Sequence, residues 1–283
     1  NKIKIKINST NDNAILDDHL NIFEIKARNN AENSYNSILK SYKIIKIFAS
    51  IGILTLPVNK KLLNKKINKN FKGQTELYQK MDNKKDSNMM FLNKKFIFFT
   101  LTTHLPLVKV NNKLFSNNYI YKKIILLYKT LQIDFNIEKP KLVISGLNPH
   151  AGEDGIIGIE EIKYIKPILS KLKKININVD GPRSADTLIN YLNLDRYDTF
   201  IFPYHDQALI PFKLLSKFRG VNYTGGLDII RVSPDHGTAY GLKDSKKIIN
   251  KGVLNCFKYI KLIHKNREKF ANTKKILRSK LFN

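Results

Sequence analysis

Apolar runs with strand character alternate with helical segments along most of this 283-residue chain, and three of these runs end in a turn that carries a histidine. The turns are TTHLPL around His104, SGLNPHAGED around His150 and FPYHDQALIPFK around His205. Alternation at this spacing predicts an α/β fold with a mainly parallel sheet, whose ligands bind at the carboxyl ends of strands. Because all three histidines occupy that position, we expect three loops to converge on one metal ion.

The residue types limit what kind of metal site this could be. Imidazole is a common ligand for zinc, cobalt, nickel and iron, and three imidazoles leave coordination positions open for a substrate. That arrangement is typical of a catalytic site. The chain has one cysteine, Cys256, which excludes an intramolecular disulfide framework and a cysteine-based zinc site. Any metal must therefore use histidine and carboxylate ligands.

Composition excludes several other classes of protein. An apolar fraction of 42% excludes wholesale disorder. The sequence has no long uncharged apolar stretch, and its start, NKIKIKINST, lacks the apolar core of a signal peptide, so we expect a soluble cytoplasmic protein with no membrane partner. The net charge of +27 suggests nucleic-acid binding as a hypothesis. However, the lysines are spread along the whole chain among many Asn and Ile residues, so compositional bias explains the charge and nucleic acid is not the expected partner.

A second group of residues follows the third histidine turn. Lys213, Asn222 and Arg231 come from successive segments, and a lysine, an amide and an arginine together suit an anion such as phosphate or carboxylate. Each of them taken singly is also compatible with an ordinary surface or structural role. The segment is therefore a candidate anion site only as a set.

Acidic residues lie near the histidines in sequence, and they could orient imidazoles or act as general bases. These are Glu153, Asp186, Asp206 and Asp235. The isolated His19 and His264 are interpreted as satisfied polar residues. His236, in the glycine-punctuated segment SPDHGTA, is intermediate, because that segment looks like a loop at the same cleft.

Six motifs occur in one order along the chain: TTHLPL, GLNPHAGE, GPRSADTL, YHDQ, RGVN and DHGTA. In this order they resemble the PdxA family of 4-hydroxythreonine-4-phosphate dehydrogenases, of vitamin B6 biosynthesis, from about Gly52 to Leu242. The resemblance implies NAD-dependent oxidation of the C3 hydroxyl of 4-phosphooxy-L-threonine, followed by decarboxylation to 3-amino-2-oxopropyl phosphate. NADP is the alternative cofactor.

The resemblance also implies roles for individual residues and a homodimer whose site lies at the interface. The implied ligands of a divalent metal (Zn, Co or Mg) are His104, His150 and His205. The implied substrate-binding residues are Gln74, Thr75, Lys213, Asn222 and Arg231, and the implied catalytic residues are Asp186, Asp206 and Lys213. The cofactor is expected near Asp186 and the Asp235–His236 pair. No GxGxxG follows a strand, so the NAD assignment rests on the resemblance alone.

The fold that the resemblance implies has two α/β/α domains with a cleft between them, as in isocitrate and isopropylmalate dehydrogenases. We assign residues 1–72 and 237–283 to the first domain and residues 73–236, with most of the site, to the second. The Asn- and Asp-rich first 40 residues suggest an irregular or partly disordered edge, and residues 245–281 suggest one or two basic helices. The family's early segment GEPAGIGPE has no counterpart, so the first domain is expected to be incomplete.

Two further departures from the family pattern affect the site itself. Gln74 stands where the family has a histidine that contacts the substrate, and glutamine cannot carry a proton or a positive charge. The family pattern GTEE appears as GIEE at 158–161, with loss of a hydroxyl. These changes leave open two alternatives: the same scaffold acting on another phosphorylated hydroxy acid, or an inactive basic descendant that binds nucleic acid.

Overall fold

The computed structural model describes residues 4–8, 20–48, 50–67, 71–237 and 251–281. Its strands are β1 (Ile5–Asn8), β2 (Leu20–Phe23), β3 (Ile53–Leu54), β4 (Asn88–Leu92), β5 (Ile97–Thr100), β6 (Leu142–Ser145), β7 (Val179–Arg183), β8 (Thr199–Phe202), β9 (Val221–Gly225) and β10 (Arg231–Pro234). Its α-helices are α1 (Asn30–Ile47), α2 (Lys60–Lys66), α3 (Gln74–Met81), α4 (Val110–Leu114), α5 (Tyr119–Asp134), α6 (Lys166–Lys173), α7 (Ala185–Leu188), α8 (Tyr191–Arg196), α9 (His205–Ser216) and α10 (Lys251–Leu281).

Eight of the strands form one sheet in the order β3-β10-β9-β4-β5-β8-β6-β7. The half that runs from β5 through β8 and β6 to β7 is parallel. In the other half, β9 pairs antiparallel with both β10 and β4, and β4 pairs antiparallel with β5. The sheet is therefore mixed, and the expectation of a mainly parallel sheet holds for the half that carries the histidines and for the β3–β10 pair at the far edge.

Residues of the central strands β4, β5, β6 and β8 are all buried. Because successive side chains point to opposite faces, they fill two separate cores. Phe98 and Phe200 pack with Phe212 of α9 on one face, whereas Phe99 and Ile201 pack on the other face against α5, α6 and α10. Coverage on both faces explains why these strands appear in the sequence as continuous apolar runs.

A buried ion pair joins α10 to the sheet. Arg267 on α10 donates from Nε to Asp134 Oδ1 at 2.6 Å, and Asp134 Oδ2 accepts from the Tyr223 hydroxyl at 2.5 Å. The guanidinium of Arg267 also donates to the carbonyls of Leu227 and Asp228. The pairing raises the pKa of Arg267, although burial opposes the shift. These contacts fix the basic C-terminal helix, expected at 245–281, as one helix from Lys251 packed on the core.

Within the first 40 residues, the segments that the structure describes, 4–8 and 20–40, are more regular than expected. Strands β1 and β2 pair in parallel as a separate two-stranded sheet, and α1 begins at Asn30, where the Asn29 side chain accepts from two backbone N–H groups of the first turn. The expectation of an irregular edge is therefore wrong for residues 30–40. None of the described helices is long and apolar enough to cross a membrane.

Candidate active site

The loops that follow β5 and β8 are joined by hydrogen bonds. Leu101 N–H donates to the Phe202 carbonyl at 2.8 Å, and the Thr102 hydroxyl donates to the Pro203 carbonyl at 2.8 Å. Because β5 and β8 are parallel neighbours in register, the two loops leave the sheet side by side. They bring the imidazoles of His104 and His205 together, with ring centroids 5.5 Å apart and planes inclined by 42°.

Each of these two histidines has an acidic neighbour. His205 Nδ1 lies 2.7 Å from Asp206 Oδ1. The carboxylate therefore accepts a hydrogen bond from Nδ1–H, which leaves Nε2 free to bind a ligand. His104 Nδ1 lies 3.7 Å from Glu76 Oε1. Burial opposes ionisation of Glu76, yet its contacts with His104 and Lys60 outweigh burial and hold its pKa below the usual value. His205 is thus oriented by a hydrogen bond to a carboxylate, and His104 lies close to a second carboxylate.

The geometry of the His104–His205 pair is compatible with a shared metal ion. Zinc–nitrogen bonds of about 2.0–2.1 Å at tetrahedral angles place two imidazole centroids roughly 5 Å apart, close to the 5.5 Å observed. However, no group of three His, Cys, Asp or Glu side chains among the described residues could hold a metal ion. This chain therefore presents two of the three predicted ligands as a pair, and His150 does not complete the set.

His150 is exposed in a loop of unusual backbone conformation. Residues 150–154 all have positive φ, and Gly152 is tightly confined, because an added Cβ would lie 2.5 Å from the Gly158 carbonyl oxygen. The loop is anchored by the buried carboxylate of Glu161, which accepts from the Leu147 and Asn148 backbone N–H groups at 2.8 Å each. Loss of the family's hydroxyl at 159 leaves this anchor intact.

Asp186 lies at the start of α7, near His150. Its Oδ1 accepts from the Ser184 hydroxyl and from the Thr187 backbone N–H at 2.9 Å. The hydrogen bond from Ser184 is the main reason why its pKa lies below the usual value, and His150 contributes a smaller electrostatic effect in the same direction. Asp186 is therefore held as an anion on the His150 side of the site.

A second cluster surrounds Arg231, which is only 3% exposed. Its guanidinium donates from Nη2 to the Thr55 hydroxyl at 2.6 Å and to Gln74 Oε1 at 3.3 Å, and from Nη1 to the hydroxyls of Thr75 and Thr224 at 3.4 and 3.3 Å. All four acceptors are neutral. Burial lowers the pKa of Arg231 to about 10, and its Nε has no hydrogen-bond partner. A buried cation whose hydrogen-bond acceptors are all neutral is suited to receive an anion.

Gln74 has a defined place in this cluster. Its amide donates from Nε2 to the Leu56 carbonyl at 2.9 Å while its Oε1 accepts from Arg231. On the neighbouring strand, Asn222 lies on the same face of the sheet as Arg231, since Thr224 pairs across from Arg231 and Asn222 is two residues away. The Oδ1 atom of Asn222 is buried without a partner. Four of the five predicted substrate-binding residues are thus grouped here.

The fifth, Lys213, lies apart from that hydrogen-bond network. Its ammonium is 5.9 Å from the centroid of the Phe218 ring and within electrostatic range of Asp235. Burial raises the pKa of Asp235 to about 6, although Lys213 and His236 oppose the shift. The Oδ2 atom of Asp235 is buried without a partner. Asp235 therefore marks a second polar recess beside Lys213.

Two residues that connect the clusters were missed from the sequence, Lys60 and Glu76. Lys60 Nζ lies 3.3 Å from His104 Nε2. Lys60 is exposed as a residue, yet its ammonium is shielded enough for desolvation to lower its pKa, with Arg231 adding to the effect. Glu76 directly follows Thr75 in the GQTE segment, so that motif could have indicated it. Nothing local distinguishes Lys60 from the other lysines around it.

Of the three other histidines, the structure describes His236 and His264. His264 on α10 has Nε2 3.4 Å from Glu268 Oε1, one helical turn away, which agrees with a satisfied polar residue. His236 follows β10 and its Nδ1 lies 3.1 Å from the Gly237 carbonyl oxygen. His19 lies outside the described residues. Glu153 lies in the left-handed turn of the His150 loop.

Comparison with known proteins identifies the relatives of this chain. A model of the family described as pyridoxal phosphate biosynthetic protein PdxA matches residues 2–260. A 4-hydroxythreonine-4-phosphate dehydrogenase of Aquifex aeolicus (strain VF5) is 43% identical over 209 residues, which cover 74% of this chain and 64% of that relative. One from Zymomonas mobilis is 38% identical over 219 residues, covering 77% of this chain and 65% of the relative. The chain thus spans slightly less than two thirds of the length of these curated relatives.

Solved structures agree with that result. The crystal structure of a 4-hydroxythreonine-4-phosphate dehydrogenase from Klebsiella pneumoniae matches with a TM-score of 0.73 at 25% identity, covering 93% of this chain and 83% of the other. The fold defines this chain as an α/β protein of the isocitrate/isopropylmalate-dehydrogenase-like class. More narrowly, the chain belongs to the PdxA family. The predicted fold class and family are therefore confirmed.

Proposed function

We propose that this chain is the catalytic subunit of an NAD- and metal-dependent dehydrogenase that oxidises and decarboxylates 4-phosphooxy-L-threonine in vitamin B6 biosynthesis. The names of the relatives support the substrate. In the overall reaction the C3 alcohol becomes a ketone, NAD⁺ takes a hydride to become NADH, and the carboxylate leaves as carbon dioxide. A proton replaces it on carbon to give 3-amino-2-oxopropyl phosphate. NAD is proposed over NADP, with contacts near Asp186 and the Asp235–His236 pair.

The observation that carries this proposal is that Glu76 and Lys60 connect the buried Arg231 with the His104–His205 pair. Arg231 is electrostatically coupled to both Glu76 and Lys60, and both of these contact His104. A phosphate bound by Arg231, Gln74, Thr75 and Asn222 would therefore leave the rest of a short substrate reaching toward the histidines. Lys213 is proposed to contact the phosphate as well.

The histidines would hold a divalent metal, for which zinc, cobalt and magnesium are the candidates. Such an ion would supply positive charge that acidifies the substrate hydroxyl and stabilises the negative charge left by carbon dioxide. Asp206 keeps His205 in the tautomer that presents Nε2, and Glu76 does the corresponding task at His104. Because His150 lies outside the pair, we propose that the third imidazole comes from a second copy of the chain, in a homodimer.

The domain division remains part of the same proposal, with residues 1–72 and 237–283 in one domain and 73–236 in the other. A cytoplasmic location is also proposed. Membership of the PdxA family does not favour the alternative of a basic descendant that binds nucleic acid. Retention of Arg231 and its partners favours a phosphorylated substrate over other classes.

The proposal is tested by mixing purified protein with 4-phosphooxy-L-threonine and NAD and following NADH and carbon dioxide. We expect equal amounts of both products, loss of turnover after chelation, and recovery on addition of Zn²⁺, Co²⁺ or Mg²⁺. A panel of other phosphorylated hydroxy acids is the control for substrate identity. Turnover of a panel member in place of 4-phosphooxy-L-threonine would replace the proposed substrate, and nucleic-acid binding with no turnover of any member would overturn the enzyme.

A further inference from the structure

Lys60 is positioned by the start of α2. The side chain of Asn59 caps this helix by accepting from the Leu62 backbone N–H at 3.0 Å, which makes Lys60 the first helical residue. From there its side chain reaches across to the loop after β5, where Nζ lies 3.3 Å from His104 Nε2. A residue distant in sequence thus delivers a positive charge directly to the proposed metal end of the site.

The ammonium of Lys60 has no anionic partner at salt-bridge distance among the residues that the structure describes. Glu76 is the carboxylate that acts electrostatically on Lys60. Its Oε1 lies 3.7 Å from His104 Nδ1, and its Oε2 is buried without a hydrogen bond. Gly73 keeps room for both groups, because a Cβ there would come within 2.7 Å of Glu76 Oε2 and 3.4 Å of Lys60 Nζ. The space around the ammonium is therefore kept open by a glycine.

The contact of Lys60 with His104 cannot persist in a metal-loaded site. One lone pair on Nε2 serves either an ammonium N–H or a metal ion. If His104 held a metal through Nε2, the Lys60 ammonium would lose this acceptor, and an anion bound beside it would then stabilise its charge.

We propose that Lys60 binds the carboxylate of the substrate, the group that leaves as carbon dioxide. This inference rests on the proposed function and deepens it. A substrate with a phosphate at one end and a carboxylate at the other has two anions. Arg231, with Lys213, is assigned to the phosphate, which leaves Lys60, at the histidine end, for the carboxylate. Lys60 thereby distinguishes acids from amino alcohols that carry the same phosphate.

The test compares two ligands and three variants by calorimetry, with Zn²⁺ present and NAD absent. The ligands are 4-phosphooxy-L-threonine and 1-amino-3-phosphooxypropan-2-ol, which keeps the amine, hydroxyl and phosphate and lacks the carboxylate. Lys60→Met removes the charge and Lys60→Arg keeps it. Lys61→Met, at the next and exposed position of α2, is the matched control. Thermal melting verifies that each variant folds.

We expect Lys60→Met to raise the Kd of the carboxylate ligand by about tenfold or more while leaving that of the amino alcohol within about twofold. Lys60→Arg should recover most of the affinity, and Lys61→Met should change neither Kd. An equal loss for both ligands, or no loss for either, overturns the role of Lys60 and leaves the proposed function standing. If the unmodified protein binds neither ligand, the proposed substrate class fails and this inference fails with it.

Discussion

The two ends of the site are built in different ways. Around Arg231, strand β9, the residue after β3 and the start of α3 supply four neutral acceptors, all from buried residues. At the histidine end, His104 and His150 lie in exposed loops with positive φ, and only two of the three imidazoles meet. Under the proposed function, the anion end would be preformed within one chain, whereas the metal end would be completed by a ligand and a second chain.

The largest effect is expected from mixing subunits, which tests whether the metal end is shared between chains. His104→Ala and His150→Ala should each abolish turnover as homodimers, because each loses one ligand at both sites. After the two variants are mixed, unfolded and refolded together, half of the dimers are mixed, and one of their two sites is intact. We expect about a quarter of the wild-type activity to return. No recovery in dimers shown to have exchanged would place all three ligands in one chain.

The next largest effect should come from the preformed end. Arg231→Met should lower kcat/KM by about a thousandfold, since a bidentate contact with phosphate comprises two charge-assisted hydrogen bonds of about 1.5–3 kcal/mol each. The melting temperature should change little, because the loss of hydrogen bonds to four buried acceptors is offset by removal of an unpaired buried cation. Steady-state kinetics and thermal melting measure both. Arg219→Met, at an exposed position, is the control, and a loss of activity matched by loss of folded protein would contradict a binding role.

A smaller effect is expected from the support of the histidine pair. Asp206→Asn should weaken binding of Zn²⁺ or Co²⁺ by about 10- to 100-fold, because Asp206 fixes the tautomer and orientation of His205. Calorimetric titration with each metal measures this directly. The control is Asp195→Asn, at an exposed position on α8. Unchanged metal affinity in Asp206→Asn would show that the 2.7 Å contact is incidental to metal binding.

The same contrast explains how much could be predicted from the sequence. Strands β5, β6 and β8 are buried on both faces and appear as continuous apolar runs, so their ends, and the histidines after them, could be located. The antiparallel pairing of β4 and β9 depends on contacts between distant segments, and no local pattern indicates it. The end of helix α1 near Ile44 could be predicted, but its start was missed because its buried positions, Ala31, Ile38 and Ile45, are few and widely spaced.

The site residues also differ in how far they could be predicted from the sequence. Arg231 and His104 lie in motifs that could be matched to a family, whereas Lys60 lies in a lysine-rich stretch where its neighbours look alike. Only the tertiary contact with His104 singles it out. The assignment of three histidines as ligands stays a prediction, and their distribution over one chain or two is a property of assembly that spacing does not encode.

A modest effect on stability is expected at the recess beside Lys213. Burial raises the pKa of Asp235 to about 6, so the native state favours the neutral carboxyl. The free energy of unfolding should therefore fall as pH rises from about 4 to about 6, and Asp235→Asn should remove that loss, making the variant more stable than wild type at pH 7 by up to about 3 kcal/mol. Urea unfolding at pH 4 and pH 7 measures the difference. An equal difference at both pH values would exclude ionisation of Asp235 as its cause.

The smallest effect concerns Gln74, which stands where the family has histidine. Gln74 both donates to the Leu56 carbonyl and accepts from Arg231. A neutral imidazole can do both, but an imidazolium has only donors and would repel Arg231. Gln74→His should therefore keep the wild-type KM at pH 8 and raise it several-fold at pH 6, whereas wild type should show the smaller change of the substrate alone. A KM that falls in the variant at pH 6 would instead show that a positive charge at position 74 assists phosphate binding, and that the preformed end accepts a third cation.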